Sequence, residues 1–134
     1  MSDAMIRTVM SIDDNALDQV LYKRVMNRSG IVENILTFQS AEDALAHLKL
    51  KQREEVDVIL LDINMPCMSG FEFLEQAIKE LGIDFSKMVV IMLTTSLDPS
   101  DKERAGHFSM IKAYLDKPLN VNNLKEIAAM LPQV

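Results

Sequence analysis

Five short apolar runs alternate with five longer segments of helical spacing, and this alternation limits the possible folds more than any other feature. "RTVMSI" (7–12), "ILTF" (35–38), "VDVILLD" (56–62), "MVVIML" (88–93) and "AYL" (113–115) read as strands. The first, third and fourth are near-continuous apolar runs, as strands covered on both faces require. After the first, Leu17, Val20, Leu21 and Val25 fall at helical spacing and Gly30 is a C-terminal stop. Ser40 caps a helix over "AEDALAHLKLKQRE", with Asp43 three residues on in a loose capping box. "GFEFLEQAIKEL" (70–81) presents Phe71, Leu74, Ile78 and Leu81 on one side. In "LDPSDKERAGHF", Asp98 can cap and Pro99 suits the first helical position. "VNNLKEIAAML" closes the chain with Leu124, Ile127, Ala128 and Leu131 on one face.

Strands alternating with helices imply an α/β fold: a doubly wound, five-stranded parallel sheet, flavodoxin-like (βα)5, with helices on both faces. Right-handed crossovers favour the order 2-1-3-4-5. Ligands then bind outside the carboxyl ends of the strands, at the switch point between strands one and three.

At 134 residues the chain is expected to be one domain, 1–134. One cysteine allows no internal disulfide, and no secretory leader pattern opens the chain; both favour a reducing cytoplasm. No apolar run approaches a membrane span, so no membrane insertion is expected. A net charge of −6 argues against direct nucleic-acid binding, which needs a basic stripe. The basic stretch "KLKQR" (49–53) reads as a solvated helix end.

Polar residues gather where the topology puts the ligand edge. Asp13 and Asp14 follow strand one, Asp62 ends strand three, Thr94 ends strand four and Lys117 follows strand five. Crowded carboxylates raise each other's pKa, and a hard divalent cation removes that repulsion. Mg²⁺ takes oxygen ligands and only a few protein carboxylates. A hydroxyl and an ammonium opposite suit the oxygens of an incoming phosphoryl group.

"IDDN", "LLDINMPCMSG", "MLTTS" and "YLDKPL", in this order and spacing, resemble the receiver domain of bacterial two-component response regulators, of the stand-alone, chemotaxis-regulator type. The resemblance covers nearly the whole chain and implies roles by position. Asp62 would be the phosphoacceptor. Asp13, Asp14, Asp62 and the Asn64 backbone carbonyl would hold Mg²⁺, with Asp14 favoured as a direct ligand and Asp13 acting partly through water. Thr94 and Lys117 would bind the phosphoryl group, with Tyr114 as the switch aromatic. The Asn64 side chain, Thr95 and Ser96 would tune access and dephosphorylation. Lys117–Pro118 would be cis, with Pro66 and Gly70 as structural residues of the turn into the third helix. The donor would be a sensor histidine kinase or a histidine phosphotransfer protein. The output would be a protein-binding surface around the helix after strand four, strand five and the last helix. It would meet a downstream protein target or a second, phosphorylated copy.

Blander readings exist for each residue. An isolated Asp after a strand is usually a helix cap, Tyr114 alone a static aromatic and Lys117 alone a surface lysine. Cys67 reads as an incidental, solvent-facing thiol. His47 and His107 read as surface or packing residues without ligand spacing. The methionines read as core fillers, with Met65, Met68 and Met110 as candidates for an adaptable binding surface. The stretch "GHFSMIKAYLDKP" lacks the Gly-Ala pair of many receivers, so an atypical connection into strand five is expected. A Mg²⁺-dependent phosphohydrolase with an aspartyl-phosphate intermediate is an alternative, but it wants an acid where Asn64 stands. A phosphate-independent interaction module is another, against which the intact Asp13, Asp14, Asp62, Thr94 and Lys117 count. An FMN binder would need a Ser/Thr/Gly-rich loop in place of "DDNALD". The chain ends just after its last helix, so output through protein contact is expected rather than enzyme activity.

Overall fold

The computed structural model describes residues 5–132, so the outermost residues of the expected domain, 1–4 and 133–134, lie outside it. Five strands, β1 (Ile6–Ile12), β2 (Val32–Phe38), β3 (Val58–Leu61), β4 (Val89–Thr94) and β5 (Ile111–Asp116), form one parallel sheet in the order β2-β1-β3-β4-β5. The helices are α1 (Ala16–Ser29), α2 (Ala41–Leu48), α3 (Gly70–Leu81), α4 (Ile83–Ser86), α5 (Pro99–Ala105) and α6 (Val121–Met130). The expected order and strand placement hold, with ends shifted by a few residues. The second helix stops at Leu48 rather than running to Glu54, so "KLKQR" is a loop.

Successive residues of the central strands point to opposite layers, as the pleat demands. Met10, Ile12, Ile59, Leu61, Val90 and Met92 pack under α2, α3, α4 and α5. Val9, Val58, Leu60, Ile91 and Leu93 pack under α1 and α6. Caps stop the helices where the sequence signals them. Ser40 accepts from the Asp43 N–H, Asp98 caps α5 with Pro99 behind it, and Gly30 ends α1 in the left-handed region at φ 69°. Ser69 and Glu72 form a reciprocal capping box on α3.

Helix α1 corrects the sequence reading. Its period is right but its face is rotated: Leu17, Val20 and Leu21 are exposed, while Gln19, Tyr22 and Met26 are buried. Backbone satisfaction explains the rotation. The Gln19 amide lies 3.0–3.2 Å from the carbonyls of Ser11, Asp13 and Phe38, and donates among them at the carboxyl ends of β1 and β2. Buried carbonyls need such donors more than the helix needs an apolar stripe. Short helix α4 is also additional to the five expected. It seats fully buried Phe85 edge-on against Phe73, with ring centroids 6.0 Å apart.

Two further expectations are resolved. Met65 and Met110 are buried in the core and Met68 packs against it, so these three do not form an open binding surface. The connection into β5 does carry an irregularity. Pairing steps from Val90–Ile111 to Ile91–Ala113, skipping Lys112, as a bulge does. Among the described residues, no helix is long and apolar enough to cross a membrane.

The turn between β3 and α3 folds back tightly. The Gly70 N–H donates to the Ile63 carbonyl at 2.9 Å, and a Cβ at Gly70 would lie 2.3 Å from the Asp62 carbonyl oxygen. Backbone cannot yield that space as a side chain can. Gly70→Ala is therefore expected to cost about 2 kcal/mol of unfolding free energy, in the range of overpacked sites. Urea unfolding of the two proteins measures it.

Candidate functional site

The parallel register brings the strand ends together. Ile12 pairs with Leu61, and the Asp62 N–H donates to the Ile12 carbonyl at 3.0 Å, so Asp13 and Asp62 leave neighbouring strands side by side. Thr94 pairs with Asp116, and the Lys117 N–H donates to the Thr94 carbonyl at 3.1 Å. The Lys117–Pro118 bond is cis, as expected. Carboxylate oxygens of Asp13, Asp14 and Asp62 all lie within 4.8 Å of one another. Asp13, Asp62 and Thr94 are buried, whereas Asp14 is exposed.

Asp13 is the most constrained of the acids. Its Oδ1 accepts the Asn15 N–H at 2.9 Å; its Oδ2 accepts the Tyr22 hydroxyl at 2.7 Å and the Lys117 ammonium at 2.9 Å. Lys117 Nζ also donates to Asp18 at 2.9 Å and stands 3.7 Å from Asp62 Oδ1, beyond hydrogen-bond range. Asp62 Oδ1 accepts a hydrogen bond, at 3.0 Å, from the Ile63 N–H. The ammonium thus sits among three carboxylates but bonds to two.

Electrostatics follow this placement. Burial, then the Asp13 charge, push the Asp62 carboxyl up to about 6; Lys117 and the Ile63 N–H pull the other way. For Lys117, burial works against its charge, but the bonds to Asp13 and Asp18 and the field of Asp62 prevail and raise it to about 12. The Tyr22 hydroxyl is pushed far up by burial and by Asp13, which keeps it a neutral donor. Three close oxygen-donor groups, one buried and reluctant to ionise, fit a hard divalent cation such as Mg²⁺.

The remaining predicted residues form a second group around the first turn of α5. Thr94 Oγ1 accepts the Ser96 N–H at 3.0 Å, and the Ser96 hydroxyl donates to Asp101 at 2.6 Å. Tyr114 is half-buried; burial, then Asp101, push its hydroxyl up, and that hydroxyl is enclosed without a well-formed hydrogen bond. Thr95 and Asn64 are exposed. Cys67 is exposed as expected, at φ 71°, within a tight turn closed by the Met68 N–H on the Pro66 carbonyl at 2.8 Å. His47 pairs with Glu54 at 2.6 Å and packs on Phe38, a structural role.

Gln19, Asp18 and Tyr22 were not singled out from sequence. Asp18 lies in the first turn of α1, where an acid also reads as a plain complement to the helix end. Nothing in the sequence distinguishes Tyr22 from a packing aromatic.

Comparison with known proteins agrees with this geometry. The family model "Response regulator receiver domain" matches residues 9–129. The probable methanogenesis regulatory protein FilR2 of Methanothrix harundinacea is 29% identical over 120 residues, covering 87% of this chain and 76% of the relative. A protein-glutamate methylesterase/protein-glutamine glutaminase of Paramagnetospirillum magneticum is 30% identical over 116 residues, covering 87% of this chain but only 29% of that protein. Among solved structures, a two-component response regulator from Cytophaga hutchinsonii superimposes with a TM-score of 0.80 at 27% identity, covering 93% of this chain and 96% of that one. Chemotaxis protein CheY4 of Vibrio cholerae does so with a TM-score of 0.75 at 25% identity, covering 95% and 99%. Matched over residues 9–129 and folded with the same sheet order and acidic edge, the chain belongs to the response regulator receiver domain family of two-component signalling.

Proposed function

We propose that residues 1–134 form a single receiver that accepts a phosphoryl group on Asp62 from a phosphohistidine of a kinase or phosphotransfer protein. The observation that carries this is Asp62 at the end of β3, within 4.8 Å of Asp13 and Asp14 and 3.7 Å from the Lys117 ammonium. With Oδ1 engaged by the Ile63 N–H, Oδ2 is the attacking oxygen. It forms a bond to phosphorus as the phosphorus–nitrogen bond of the donor breaks, and the imidazole leaves with the electron pair. The product is an acyl phosphate, and nothing is oxidised or reduced.

Asp13, Asp14, Asp62 and the Asn64 carbonyl hold Mg²⁺ in this reading. Bound there, it supplies positive charge against the phosphoryl oxygens and relieves the repulsion among the acids. Lys117 and the Thr94 hydroxyl bind phosphoryl oxygens. Asn64, Thr95 and Ser96 line the approach and tune hydrolysis. A phosphoryl group brings about −1.5 to −2 charges. Drawing Thr94 toward it strains the bond from the Ser96 N–H, and Ser96, in the loop after β4, and Asp101, in the first turn of α5, act on the Tyr114 hydroxyl. Tyr114 then moves inward and the surface of α5, β5 and α6 shifts population toward a form bound by a downstream protein.

Incubation with Mg²⁺ and acetyl phosphate, followed by intact mass, is the test. A labile adduct on the native chain, lost in Asp62→Asn and with EDTA, is the expected result. An adduct that persists in Asp62→Asn would overturn the reading.

Lys117→Ala should still take a phosphoryl group, at a reduced rate. Its phosphorylation should no longer move the backbone amides of β5 and the start of α6. Amide spectra with and without acetyl phosphate measure this.

The strained carboxylate also sets a pH dependence. The Asp62 pKa is raised on folding, from 3.8 to about 6, so the metal-free folded protein holds a proton the unfolded chain releases. Stability from this group is full below about pH 4 and is lost as pH rises through 6. Asp62→Asn should therefore stabilise the metal-free protein at pH 7.5 by about 2 kcal/mol and flatten the slope between pH 4 and 6. Urea unfolding in EDTA across that range measures both.

A further inference from the structure

We infer that Asp18 is a positioning residue for the switch: it holds the Lys117 ammonium on α1 in the unphosphorylated protein and competes for it with a phosphoryl group on Asp62. The inference rests on the phosphoacceptor reading of Asp62.

Lys117 Nζ makes two short bonds, 2.9 Å to Asp13 and 2.9 Å to Asp18, and stands at 3.7 Å from Asp62. The ammonium has three N–H donors; two are spent on Asp13 and Asp18, and these bonds hold Nζ short of hydrogen-bond range of Asp62, so a shift toward a phosphoryl group there works against them. The two carboxylates are unequal. The Asp13 side chain is 2% exposed and is held by the Tyr22 hydroxyl and the Asn15 N–H as well. Giving up a charge-assisted bond in that nearly dry site costs more than giving one up at a partly open carboxylate. The Asp18 side chain is 27% exposed, in the first turn of α1. Water and the positive end of the helix stabilise it after release. Asp18 is the partner that Lys117 exchanges for the phosphoryl group, while Asp13 stays.

The exchange has a structural consequence. The Asp18–Lys117 pair ties α1 to the segment that joins β5 to α6. Its release removes one tie between that segment and α1 in the phosphorylated form. The charge of Asp18 therefore sets the balance between the two forms: it competes with the phosphoryl group for one ammonium.

Intact mass gives the rate of adduct formation and its lifetime for the native chain, Asp18→Asn, Asp18→Ala and Asp18→Glu, with Mg²⁺ and acetyl phosphate. The neutral variants should form the adduct faster and keep it at least about threefold longer, the scale of one lost charge-assisted competitor that is partly open to solvent. Asp18→Glu should move both values back toward the native chain. In a Lys117→Ala background, replacing Asp18 should change neither, because the effect runs through Lys117. An unchanged lifetime in both neutral variants, with a normal adduct on the native chain, overturns the role of Asp18 alone. So does an equal change in the Lys117→Ala background, which would mean simple charge removal. No adduct on the native chain overturns both this inference and the reading beneath it.

Discussion

Crowding of Asp13, Asp14 and Asp62 at the carboxyl edge of the sheet is the constraint on which the rest of the structure depends. Two of the three are buried, and folding alone cannot make that arrangement comfortable. Asp62 responds by holding its proton to about pH 6. The Lys117 ammonium sits among the acids without a hydrogen bond to Asp62. What is left over is a demand for positive charge on the open side, where Asp14 faces solvent. In a receiver, that demand is a means of recognising a cation and a phosphoryl donor together.

Much of the fold exists to hold this edge in register. The central strands are apolar on both faces, so their register is set by burial and not by the charged ends. Gly70 lets the turn after Asp62 close against its own carbonyl oxygen, and Gln19 ties off the carbonyls at the ends of β1 and β2. Tyr22 and the Asn15 N–H fix the rotamer of Asp13. These contacts keep the site stiff on its α1 side. On the α5 side, Thr94, Ser96 and Asp101 are linked by hydrogen bonds, and the buried Tyr114 hydroxyl is enclosed without one.

Sequence alone carried the sheet order, the five principal helices and the gathering of Asp13, Asp14, Asp62 and Lys117. The reason is physical. Apolar runs flanked by caps are local signals, and a doubly wound topology then collects every strand's last residue at one edge. The face of α1 was not legible. Leu17, Val20 and Leu21 have the right spacing for a core stripe, yet the buried stripe carries Gln19 and Tyr22, whose polar atoms are needed by partners far along the chain. Asp18 was missed similarly, since its partner Lys117 lies 99 residues away. Short-range pattern reading finds strands and caps; it does not find polar contacts that close only in three dimensions.

The central claim is that Asp62 is a strained carboxylate that awaits added positive charge. Its carboxyl carbon, followed by NMR as pH is varied without metal, reports this directly. The account predicts a midpoint near 6 in EDTA that falls well below this value when Mg²⁺ saturates the site. A midpoint near that of an ordinary aspartate, about 4, unmoved by Mg²⁺, would contradict it.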